Sequence, residues 1–271
     1  MKRFRYLSIP YIIWLVILVV LPLLAMIILS FVDSDGFDLT TAAFSLSNWA
    51  NLFNTVYLSA FGNSLKIAGI ATIACILIGY PISYIISTSH IKNKMALIMI
   101  LILPMWSNQL LRIIAWEKIF YPISIINTLG ISLNLIGTDF GVIFATVTMY
   151  LPFMILPTFT VLEKMDKSYV EASYDLGVSR VRTFFKVTLP MSSKGIMSGI
   201  IMVFLPASTG FAITERLGGG KIIMIGNVIE NFFKRSFNYN MGSMLSLVVI
   251  IVIMGAIVLL SKFDKEGETI I

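Results

Sequence analysis

Several stretches of this chain hold residue types that could do chemistry, and most are excluded by spacing. Gly218-Gly219-Gly220-Lys221 has the composition of a phosphate cradle. A phosphate-binding loop, however, needs a glycine five positions before its last glycine and Ser or Thr after the lysine. Those positions hold Glu215 and Ile222, so the run reads as a flexible turn. His90 is the only histidine and stands apart from cysteines and acids, too few ligands for a metal site. Cys75, the only cysteine, lies in an apolar run and has no intrachain partner; it reads as a packing residue. The apolar stretches contain no clustered acids and no nucleophile beside a base, which argues against a membrane-embedded enzyme.

The most informative segment is Glu163 to Gly195, over thirty residues where short connections are usual. Ser168 and Glu171 have the S-x-x-E spacing of a capping box. Gly177 follows Leu176 where a left-handed helix terminator belongs. Ser179 is placed to cap a second helix that ends before Pro190. The expectation is helix, glycine turn, helix. Tyr169, Val170, Tyr174, Phe184 and Phe185 give it more apolar surface than a solvated linker needs, which predicts a docking surface.

The elements that must carry this segment follow from composition. Of 271 residues, 58% are hydrophobic and 13% charged, with mean hydropathy +0.92. Soluble domains are about 25% charged, so lipid must be part of the solvent. Six runs are long enough to cross a bilayer as helices: 9–32, 61–87, 96–116, 140–162, 196–214 and 241–261. Helices satisfy their own backbone groups in lipid, and the runs lack strand alternation. The first run is too long for a signal peptide's apolar core and reads as a retained span. The chain is therefore read as one transmembrane domain over 1–271.

Lysine and arginine placement sets the orientation. With the N-terminus in the cytoplasm, inner segments hold thirteen of the twenty: Lys2, Arg3, Arg5, Lys92, Lys94, Lys164, Lys167, Arg180, Arg182, Lys186, Lys194, Lys262 and Lys265. Both termini are expected in the cytoplasm, and with them the 163–195 loop. The basic total is then a topology bias, with no nucleic-acid partner implied. Lys66 is placed near the surface, because mid-bilayer charge costs ~2.5–3.5 kcal/mol. Pro22, Pro81, Pro104, Pro152, Pro157 and Pro206 fall inside spans, where they should kink helices.

Glu171-Ala172-Ser173-Tyr174-Asp175-Leu176-Gly177, nine residues, then Val187-Thr188-Leu189-Pro190 resembles the EAA loop of ABC-importer permeases. That signature reads E-A-A, three residues, G, nine residues, I-x-L-P; Ser173 and Val187 depart from it. The resemblance implies an all-α, six-span type I importer permease (MetI-like) with a cytoplasmic coupling loop. It implies that Glu171, Ala172, Ser173, Asp175, Gly177, Leu189 and Pro190 couple the chain to an ATPase. A non-transporting scaffold would have no need of such a loop.

Ile78-Gly79-Tyr80-Pro81, the run Leu103 to Arg112, Leu151-Pro152-Phe153-Met154, Glu163 to Lys167, and Gly218-Gly219-Gly220-Lys221 with Ile225 to Ile229 are similar to spermidine/putrescine permeases. This implies a polyamine substrate, with another small solute as the alternative. The implied partners are a second permease subunit, two ATPase subunits that bind ATP and Mg, and an extracytoplasmic polyamine-binding protein in a bacterial cell membrane. No cofactor is expected in this chain. Ammonium chains need carboxylates, carbonyls and aromatic faces. Trp106, Asn108, Gln109, Trp116, Glu117 and Glu215 offer these near the outer side. Trp106, Gln109, Ile113 and Trp116 have helical spacing and are expected to share a face; interfacial anchoring is the alternative for both tryptophans. Arg112 is expected to face a carboxylate or carbonyls.

Overall fold

The computed structural model describes residues 9–34, 42–121 and 134–263, the side chains of 259–263 excepted. Lys2, Arg3, Arg5 and Lys265 lie outside the described residues, as does the Lys262 side chain. The architecture is all-α apart from one pair of two-residue antiparallel strands, Val32–Asp33 and Ala43–Phe44. Among the described residues, four helices are long and apolar enough to cross a membrane: α1 (Ile9–Ser30), α2 (Thr55–Thr88), α5 (Asp139–Lys164) and α11 (Tyr239–Phe263). Two bent pairs make six spans if each pair counts as one. These are α3 (Lys94–Trp106) with α4 (Gln109–Phe120), bent by 83°, and α7 (Arg180–Met191) with α8 (Ser193–Thr209), bent by 62°. Between them lie α6 (Ser168–Asp175), α9 (Phe211–Leu217) and α10 (Ile225–Lys234).

Two of the proline-bearing runs, expected to kink, are broken outright. The run 96–116 is not one straight helix, because Ser107 and Asn108 are extended and Asn108 starts a new helix by accepting from Leu110 N–H at 2.8 Å. The run 196–214 is interrupted at Gly210, which separates α8 from α9. Proline explains a third departure. The second loop helix was expected to end before Pro190, yet α7 continues through it. The turn Phe184–Thr188 is widened, so Leu189 N–H reaches the carbonyl of Phe184 five residues back. The same device precedes Pro22, where Leu21 N–H bonds the carbonyl of Val16. A proline lacks the N–H of its own turn and crowds a carbonyl one turn earlier. Adding one residue to the turn accommodates that crowding without breaking the helix.

The chain gathers into two compact units. The first holds residues 1–60 and 225–255. Within it the Trp49 indole donates to the Ser30 carbonyl at 3.0 Å, and Phe31 stacks on Trp49. Gly242 lets α11 lie against the Phe233 ring of α10.

The second unit holds residues 61–224 and 256–271 and carries the main core. Ile67, Ala71, Cys75, Ile113, Val142, Met149, Met154, Val203 and Leu217 are fully buried there. The tightest crossing joins α5 and α8. A methyl group added to Gly195 would stand 3.0 Å from the Pro157 carbonyl oxygen and 3.0 Å from Thr158 Cα. One added to Gly199 would stand 2.5 Å from Met154 Sδ. Small residues four apart on one helix permit this close approach, which in lipid is where helix association gains its dispersion energy. The Thr158 hydroxyl adds a 3.5 Å contact to the Gly195 carbonyl. Lys66 forms an ion pair with Asp139, and both side chains are about half exposed.

Candidate functional site

The 163–195 loop folds as helix, turn, helix, with different capping chemistry from that expected. Ser168 and Glu171 form no capping box. Lys167 is the N-cap residue, and Ser168 already lies in the first turn. The acceptor is Asp166, whose Oδ1 takes the Ser168 N–H at 2.9 Å. That bond, together with one from the Ser168 side chain, holds the Asp166 carboxyl below the usual aspartate range. A depressed carboxylate pKa stabilises the fold above its unfolded value, and the benefit is lost as pH falls through the folded value. Following the Ser168 amide resonance through an acid titration should show a step that Asp166→Asn removes.

Gly177 ends α6 at φ +74°. Its N–H bonds the Tyr174 carbonyl at 2.8 Å, and Val178 N–H reaches back to the Ser173 carbonyl at 3.1 Å. These two bonds satisfy carbonyls that the helix end would otherwise leave open. Ser173 points into the fold: it is buried, and its hydroxyl pairs with that of Thr183 on α7 at 2.9 Å. It closes the two loop helices on each other. Glu171, Ala172, Asp175 and Leu176 face outward, Leu176 at 82% exposure, beside exposed Tyr169 and Tyr174. Leu189 and Pro190 sit further along, in the last turn of α7.

The loop is fastened to the unit at three places. Lys94 donates to the Ser87 carbonyl at 2.6 Å and meets Glu163 at 3.2 Å, joining the ends of α2, α3 and α5. Phe184 lies edge-on to Tyr80 and Tyr84 of α2, ring centres 5.9 and 5.1 Å away. The Tyr80 hydroxyl meets the Ser192 hydroxyl at 2.9 Å, where α7 turns into α8. The sequence reading did not single out Tyr80, Thr183 or Ser192 for a role; an aromatic next to Pro81 was the available signal for the first.

The expected pathway residues are not brought together on one face. Trp106, 83% exposed, lies before the 83° bend, whereas Gln109, Ile113 and Trp116 lie after it. Ile113 is wholly buried. Trp116 packs against Phe120 and Phe144 at 5.3 and 5.0 Å, as core. The Asn108 side chain is occupied in capping α4. Glu117 faces Arg216 at 3.7 Å, and Glu215 is exposed on α9. The Arg112 Nε is buried without an acceptor among the described residues.

Gln109 does line a cavity, of about 340 Å³, with Tyr150, Thr209, Gly210 and Phe211. The cavity lies at the break after α8 and is lined mostly by apolar groups, Leu110, Ala212 and Ile213 among them, and the Tyr150 hydroxyl lies 3.5 Å from the Pro206 carbonyl. Helix C-termini carry partial negative charge and serve membrane proteins as cation sites. Tyr150 and Gly210 were missed from sequence; a glycine closing an apolar run four residues after Pro206 was the signal. Gly218–Lys221 is a turn, with Gly219 and Gly220 at positive φ. It is packed rather than loose, since Gly137 N–H bonds the Leu217 carbonyl at 2.8 Å and Gly219 abuts Gly137.

Residues 2–263 match the family of binding-protein-dependent transport system inner membrane components, and the chain belongs to that family. It is similar to the spermidine/putrescine transport system permease protein PotB of Haemophilus influenzae, 37% identical over 241 residues, 86% of this chain and 84% of the relative. PotB of Escherichia coli K12 is 34% identical over 246 residues, 88% and 90% of the two chains. In fold, it is similar to a chain of a bacterial ABC transporter that imports the acidic polysaccharide alginate, with TM-score 0.82, 13% identity and 98% and 96% coverage. It is also similar to a chain of the inward-facing MetNI methionine transporter, with TM-score 0.60, 13% identity and 78% and 95% coverage. These likenesses establish an all-α type I importer permease fold and a multi-pass protein of the cytoplasmic membrane.

Proposed function

We propose that this chain is one permease subunit of an ATP-driven polyamine importer, taking up spermidine or putrescine by alternating access. The observation that carries the reading is the 37% identity to a spermidine/putrescine permease over 86% of the chain. Residues 1–271 act as a single permease domain with both termini in the cytoplasm, as the lysine and arginine bias requires. A second permease completes the pathway, an extracytoplasmic protein delivers the polyamine, and two ATPase subunits bind ATP and Mg. The exposed face of Glu171, Ala172, Asp175 and Leu176 docks on one ATPase, Ser173 and Gly177 set the geometry of that face, and Leu189 and Pro190 continue the chain toward the span.

Polyamine recognition on this chain centres on the cavity beside Gln109, with Tyr150 and Phe211 as aromatic faces and the carbonyls at the Gly210 break as acceptors. Cation–aromatic contacts there contribute ~0.5–2 kcal/mol each. Trp106 and Glu215 serve nearer the entrance, with Asn108 shaping the bend and Trp116 and Glu117 supporting the wall. Labelled spermidine uptake by the reconstituted complex tests this. Trp106→Ala, Gln109→Ala and Glu215→Ala should each lower uptake about three- to tenfold, in line with one lost contact, while ATPase subunits still co-purify. Unchanged uptake in all three would remove the assignment; absence of polyamine uptake by the unaltered complex would remove the substrate.

A further inference from the structure

Ser192 stands at the 62° bend between α7 and α8, and its hydroxyl meets three oxygens. Two belong to the preceding turn of α7, the carbonyls of Thr188 at 2.8 Å and Leu189 at 3.1 Å. The third is the Tyr80 hydroxyl at 2.9 Å. A serine has one proton to donate. Spent on the backbone carbonyls, it leaves Tyr80 as the donor to Ser192. Tyr80 is 5% exposed and Ser192 wholly buried, so the Tyr80 hydroxyl relies on this bond in place of water.

Tyr80 belongs to a helix held on its other side as well. Ser83, one turn on, donates to the Ile155 carbonyl of α5 at 3.1 Å, and a methyl on Gly79 would stand 3.0 Å from Met154. The same Tyr80 ring lies against Phe184, which sits in the widened turn of α7. The Ser173–Thr183 pair closes α6 onto α7 one residue earlier. An unbroken set of contacts therefore runs from the exposed face of α6 through Thr183 and Phe184 to Tyr80, and the bend itself is pinned at Ser192.

We infer that Tyr80 and Ser192 form a latch that fixes the angle between α7 and α8, so that displacement of the docking helix moves the span instead of being absorbed at the bend. They are positioning residues for transport and touch no substrate. The inference rests on the reading of the 163–195 loop as the ATPase dock.

The test uses the whole complex in liposomes: both permeases, both ATPase subunits and the binding protein. Three quantities are read: ATP hydrolysis without binding protein, hydrolysis with polyamine-loaded binding protein, and labelled spermidine taken up per ATP. Tyr80→Phe keeps the ring contact with Phe184, and Ser192→Ala removes the same bond from the other side. Each should lower uptake per ATP about fivefold, the equivalent of one buried hydrogen bond, and raise hydrolysis without binding protein. KM for spermidine should stay unchanged. The double variant should be no worse than Ser192→Ala alone, because the Tyr80–Ser192 bond is already lost there. Normal uptake per ATP in both singles, or losses that multiply in the double, would overturn the latch while leaving the dock intact. An unaltered complex that hydrolyses no ATP would instead sink the functional reading, and the latch with it.

Discussion

Gly177→Val is expected to cut uptake per ATP by about tenfold or more while the complex still assembles. The expectation rests on backbone geometry alone. Gly177 holds φ +74°, and a methyl placed on it would meet nothing within 4 Å. Crowding therefore contributes nothing to the loss. A left-handed conformation costs an ordinary L-residue ~1–2 kcal/mol, and a β-branched residue is a true outlier there. Valine would pull the turn toward negative φ and break the bonds from Gly177 and Val178 to the Tyr174 and Ser173 carbonyls. The docking helix would then leave α7 at another angle. Asparagine visits this conformation more readily, so Gly177→Asn should retain most of the coupling. Equal uptake per ATP in the valine variant and the unaltered protein would show that the turn's geometry does not matter.

Gly195→Leu should have a larger effect on the protein itself. Its new side chain would meet the Pro157 carbonyl and Thr158 Cα, both at 3.0 Å from the first added carbon. Those are backbone atoms of α5 and cannot swing aside. Overpacking of this kind costs ~1–3 kcal/mol, occasionally more, and here it also separates the helices that build the core. Loss of a monodisperse complex in detergent, or a marked fall in its unfolding temperature, is the expected reading. Gly69 of α2 provides the contrast, since a methyl there meets nothing within 4 Å. Gly69→Ala should stabilise by ~0.5–1 kcal/mol through the unfolded chain's entropy. If both variants unfold alike, the α5–α8 crossing is not the close contact described.

The sequence made the spans legible because burial in lipid demands about twenty consecutive apolar residues, and few alternatives meet that demand. It made Gly177 legible because a left-handed residue leaves glycine nearly alone as a candidate. The bends were harder to read. Hydropathy averages over a whole span, so two extended residues at Ser107 and Asn108 vanish inside a run that is apolar on both sides. Asn108 as a helix cap was visible in principle, but the flanking apolar residues outweighed it. Pro190 was read by the ordinary rule that proline ends a helix; the wider turn before it depends on packing that periodicity does not encode. Ser168 lost the capping role to Asp166 because both residues have the right chemistry and only the true start of the helix decides between them. Tyr150 and Gly210 were invisible as a pair, since they lie sixty residues apart and meet only through the crossing of α5 and α8.

The space around Gly177 has one more implication. Only the direction of the main chain is constrained there, because no side chain or backbone surrounds the glycine. The neighbouring outward residues Ala172, Asp175 and Leu176 can therefore be exchanged without disturbing how the segment is folded. If that face is the ATPase dock proposed above, substitutions on it would change which partner it fits while the turn beneath keeps its shape.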